Sequence, residues 1–108
     1  MDIVEFLLAR IREDESKSQE LLARPFLSES DRWYEQRMLT ECAAKRVLVD
    51  VIGHAREAAL NHMILSDDRE SRRLAESIEW TVYALSAMAL PYMEHPDYQD
   101  SWRLPEAR

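Results

Sequence analysis

A single glycine, Gly53, serves 108 residues, and that scarcity constrains the fold more than any motif does. Tight connections between strands draw on residues that accept positive φ, glycine above all. A chain almost without glycine, yet rich in Leu, Ala, Glu and Arg, can build helices and lacks the usual means of turning a sheet. The expectation is an all-α protein. With 46 % hydrophobic residues it can bury a core without disulfides or metals, so residues 1–108 read as one helical domain.

Periodicity and caps divide that domain into helices over about 2–24, 30–65 and 68–90, with a tail at 91–108. Asp2 and Glu5 have capping-box spacing, and Ile3, Phe6, Leu7 and Ile11 recur behind them at helical intervals. The following "REDESKSQE" reads as helix facing water, with Glu13–Lys17 and Glu20–Arg24 as i,i+4 pairs, until Pro25 stops it. Ser28 or Ser30 caps the second helix. Its core stripe is expected at Tyr34, Met38, Cys42, Lys45, Leu48, Ile52, Ala55, Ala59 and Met63, with Lys45 paired to Glu41. From Val47 onward the buried face widens to take in Val51 and Ala58. Gly53 is expected inside a continuous helix, at a cost of roughly 1 kcal/mol relative to Ala.

Ser66-Asp67-Asp68 closes that helix and caps the third, whose stripe runs through Leu74, Ile78, Val82 (with Thr81), Leu85, Ala89 (with Met88) and Tyr92. A short link makes the second and third helices antiparallel neighbours, giving a three-helix antiparallel bundle around one long central helix. That central helix, near 50 Å, outruns a 22-residue partner of about 33 Å. The overhang calls for cover, and a homodimer seam through the second helix, at Val51 and Ile52, is one source of it.

The tail carries "ALPYMEHPDYQDSWR". Tyr92, Tyr98 and Trp102 can each bury about 150–250 Å² by folding back, and Pro96 and Pro105 reduce the entropy of ordering the segment. The tail therefore reads as an ordered, extended clamp across the helices, with a docking peptide for a partner as the alternative. Together with "MDIVEFLLARIREDE" and "ECAAKRVLVD", it resembles a family of small uncharacterised proteins of actinobacteria and their phages that close on "LPY..HPDY...W". The resemblance spans nearly the whole chain except about residues 55–79, and it implies a cytoplasmic bacterial or phage protein without implying an activity.

Chemistry has few footholds here. The net charge of −7 is spread along the chain, which argues against a non-specific nucleic-acid interface. Cys42 is the sole cysteine, so no intramolecular disulfide forms. The acidic start argues against a signal peptide, and no apolar run approaches the ~20 residues that span a bilayer. His54 and His62 lie eight residues apart rather than four, poor spacing for a shared metal. His95 with Glu94, Asp97 and Asp100 could ligate a cation, but His95 and Asp97 more simply shape the turn at Pro96. Arginines near the starts of the second and third helices (Arg32 and Arg37; Arg69, Arg72 and Arg73) leave a sequence-specific nucleic-acid regulator as one alternative, and a small metal- or ligand-binding enzyme as another.

The leading expectation is a non-enzymatic helical interaction module without cofactor, a phage or prophage accessory protein acting on a host factor, on itself as a homodimer, or both. Its candidate contact residues are Trp33, Tyr34, Trp80, Tyr83, Tyr92, His95, Tyr98 and Trp102.

Overall fold

A computed structural model of the chain describes residues 1–104; the expected clamp residue Pro105 and the last three positions lie outside the described residues. Three helices, α1 (Ile3–Leu22), α2 (Glu29–Ile64) and α3 (Asp68–Ala89), are followed by 3-10 turns at Leu90–Tyr92 and Asp100–Trp102. Among the described residues there is no strand. Each helix starts on a side-chain cap: Asp2 Oδ1 accepts from the Glu5 amide at 2.9 Å, Ser28 Oγ from Asp31 at 3.1 Å, and Asp67 Oδ1 from Glu70 at 2.9 Å. Ser28, not Ser30, therefore caps α2.

α2 passes through Gly53 without a break. A Cβ there would stand 3.7 Å from Val4 Cγ2, an ordinary contact, so the glycine marks where α1 crosses rather than a clash avoided. Val4 lies against Gly53 and Glu15 is ion-paired to Arg46, so α1 runs antiparallel to α2. Three residues join α2 to α3, which also runs back along it. All three helices overlap only around the middle of α2. There Ile3, Phe6, Leu7 and Ile11 meet Cys42, Val49, Leu85, Ala89 and Trp102 in one buried cluster. Both ends of α2 reach past it, and the molecule measures 62 × 26 × 24 Å.

The buried face of α2 is rotated from the expected one. Cys42, Val49 and Ala59 are its fully buried residues, with Met38, Lys45, Ile52 and Met63 half-buried. Tyr34, Val47, Leu48, Val51, Ala55 and Ala58 face outward. The physical reason is that α2 has apolar residues on two sides, so its own periodicity could not say which side the neighbours cover. Glu41 pairs with Arg37 Nε at 3.2 Å rather than with Lys45. On α3, Leu85 and Ala89 are buried as expected, Val82 is not, and Ser86 is buried beside them. In the polar stretch of α1, Ser18 is buried although water was expected around it.

Candidate interaction surface

The tail packs on its own bundle. It is ordered as expected, but wound into two 3-10 turns instead of running extended. Prolines at 91 and 96 favour such tight turns by fixing φ near −65° and ending regular helix. Three aromatic rings of the tail converge on Phe6: Tyr92 at 6.2 Å, Tyr98 at 6.2 Å and Trp102 at 4.9 Å between centroids. The two tyrosines meet it edge-to-face, the arrangement that ring quadrupoles prefer. His95 adds a fourth edge at 5.6 Å.

Polar groups fix the register of this packing. The Tyr92 hydroxyl donates to Asp14 Oδ2 at 2.7 Å. Arg10 Nη1 donates to the His95 ring, closest at Nε2, and the Asp97 amide lies 3.0 Å from Nδ1. Arg10 is only 6 % exposed, a buried charge held by Glu13 at 3.1 Å and by the face of Phe6, 5.2 Å from its guanidinium carbon. Gln99 ties the tail to the Met1 carbonyl at 3.1 Å. Burial raises the pKa of Tyr92, and the hydrogen bond to Asp14 raises it further, because both disfavour the phenolate. The Cys42 thiol is likewise pushed up, first by burial and then by the nearby Asp14 carboxylate.

These contacts sort the eight sequence candidates into two groups. Tyr92, His95, Tyr98 and Trp102 are turned inward onto α1, with Trp102 buried and the other three half-buried. Trp33, Tyr34, Trp80 and Tyr83 are exposed on the outside of α2 and α3, Trp80 and Tyr83 edge-to-face at 6.5 Å. The receiving residues Phe6, Arg10 and Asp14 were not among the candidates. A signal existed for Arg10: it falls on the Ile3–Phe6–Leu7–Ile11 stripe, where a charged residue needs a partner from elsewhere in the chain.

Apart from the tail, several large apolar residues face outward. Val47, Leu48 and Val51 are 61 %, 51 % and 60 % exposed in one patch on α2. Phe26, fully exposed in the α1–α2 connection, has φ of 66°, a conformation that strains a side chain with a Cβ. A groove of about 380 Å³ runs between α3 and the tail, lined by Ile78, Val82, Tyr83, Ser86 and Leu104 among others. Among the described residues, no group of three or more His, Cys, Asp or Glu side chains is placed to hold a metal ion, and no helix is long and apolar enough to cross a membrane.

The family profile of DUF6221, a family of unknown function, matches residues 1–104, helices and tail together. The chain belongs to DUF6221. Comparison with curated proteins and with solved structures gave no match. For this DUF6221 chain the closing "LPYMEHPDYQDSW" is thus an intramolecular strap, each of whose aromatic residues has a place on α1 or on another ring of the strap.

Proposed function

We propose that this chain is a non-enzymatic helical interaction module that presents the outer faces of α2 and α3 to a protein partner in the cytoplasm. The observation that carries the reading is a division of labour among side chains. Arg10, Asp14, Cys42, Tyr92 and His95, the groups with most chemical potential, are engaged in holding the tail or buried beneath it. Large apolar residues that add nothing to the buried core, Val47, Leu48, Val51, Trp80 and Tyr83, are left outside. Contiguous exposed apolar surface of this kind marks interaction sites, and aromatic residues anchor them.

The resemblance to actinobacterial and phage proteins favours a host protein as one partner, with the chain as an accessory factor that engages it. The test is an affinity pull-down from an actinobacterial lysate with the full chain and with Trp80→Ala/Tyr83→Ala in parallel. A single host protein retained by the first and lost by the second supports the reading. Retention of none by either folded chain removes the host-factor part of it.

A further inference from the structure

We propose that the outer face of α2 binds the same face of a second copy of this chain, antiparallel, about a twofold axis between Val47 and Leu48. The inference rests on the interaction-module reading and names its partner.

At 100° per residue, Ala44, Val47, Leu48, Val51, Ala55 and Ala58 form one exposed stripe on the side of α2 turned away from Cys42 and Val49, with the buried Ala59 at its flank. It continues to Trp33 at one end and His62 at the other, both exposed. Between Trp33 and His62 the carboxylates, Glu35, Glu41, Asp50 and Glu57, all lie about 70° or more around the helix from the stripe's centre. In a chain of net charge −7, two copies repel wherever acids meet. A long apolar face clear of carboxylates is where they can approach.

The stripe is also complementary to itself. An antiparallel twofold between Val47 and Leu48 sets Val47 against the partner's Leu48, aliphatic on aliphatic, and Val51 against the partner's Ala44, large over small. It sets Ala58 against the aliphatic stem of the partner's Arg37, and His62 against the ring of the partner's Trp33.

The same register answers the overhang. Beyond Val49 the only fully buried residue of α2 is Ala59, outside the main core, and α3 has no buried residue before Leu85. That end is two helices without a third. The twofold lays residues 29–41 of the partner along residues 54–66 of this chain and supplies a third helix to both ends at once. The stripe is about 43 Å long and a helix is about 10 Å wide, on the order of 400 Å² per copy. The overhangs lie within that length, so the seam is on the order of 400 Å² per copy, the size of a weak, concentration-dependent interface.

Sedimentation velocity on the full chain, from about 1 to 200 µM, is the test, the range suiting a weak interface of that size. The expected result is a dimer whose dissociation constant rises at least ~100-fold in Val51→Glu, with unchanged far-UV circular dichroism, because each copy then buries an unpaired carboxylate against the partner's Ala44. In a Cys42→Ala background, oxidation should cross-link Val47→Cys, close to the twofold, and not Ala58→Cys, which faces residue 37. A monomeric wild type throughout the range overturns the proposal, as does faster cross-linking at 58 than at 47. A monomer that still retains a host protein leaves the module reading standing without the second copy. A dimer that retains none keeps the second copy and removes the host factor.

Discussion

The Tyr92 hydroxyl donates to Asp14 Oδ2 at 2.7 Å, joining residues 78 positions apart in the chain. That bond closes the tail onto α1 at the point where regular helix gives way to the Leu90–Tyr92 turn. Tyr92→Phe removes the donor and leaves the ring, so it should cost about 1–2 kcal/mol, or about 4–8 °C in Tm for each kcal/mol. Thermal melts of the two chains, followed by circular dichroism, measure it; an equal Tm would show the bond contributes nothing net.

The same tyrosine predicts the alkaline limb of stability. Its pKa is raised in the folded state, so the folded chain holds its proton while the unfolded chain begins to lose it near pH 10. The stabilisation is complete below that value and is lost as pH rises through the folded pKa. Unfolding free energy should fall above about pH 10 in the wild type, and less steeply in Tyr92→Phe. Urea titrations at pH 9, 10 and 11 test the sign.

Trp102 and Trp80 should behave oppositely. Trp102 is buried at 4.9 Å from Phe6, and Trp102→Ala should cost about 3–5 kcal/mol through cavity formation. Trp80 is 73 % exposed, so Trp80→Ala should leave stability within about 0.5 kcal/mol. Deleting residues 93–108 removes His95, Tyr98 and Trp102 together and should lower Tm more than Trp102→Ala does. A tail deletion that melts like the full chain would refute the strap.

Val49 and Val51 are two residues apart and separate the two faces of α2. Val49→Asp places an unpaired carboxylate in the core and should unfold the chain. Val51→Asp should keep its helical circular dichroism. If both variants unfold at about 10 µM, where a dimer of the size argued above need not be populated, the assignment of faces is wrong.

Cys42 is 1 % exposed and its thiol is held in the protonated form by burial and by Asp14. It should react with a disulfide reagent at pH 8 only as fast as the chain opens, and promptly in 6 M guanidinium. Prompt reaction in buffer would mean that the strap opens readily.

The course of the backbone was legible from local chemistry. Scarce glycine, caps at Asp2, Ser28 and Asp67, and breaks at Pro25 and Pro91 each act within a few residues, so they show in a linear string. The folding-back of the tail was legible too, from aromatics and prolines that reward ordering. What only the tertiary structure decided was which partner each side chain meets. α2 offers apolar residues on two faces, and burial of Val49 with exposure of Val47, Leu48 and Val51 was settled by where α1 and α3 lie, not by periodicity. The burial of Arg10 beneath His95 depends on an approach between positions 85 residues apart, which no local pattern encodes. Short-range hydrogen bonding determined the helices; long-range packing determined which of their faces remain free to bind.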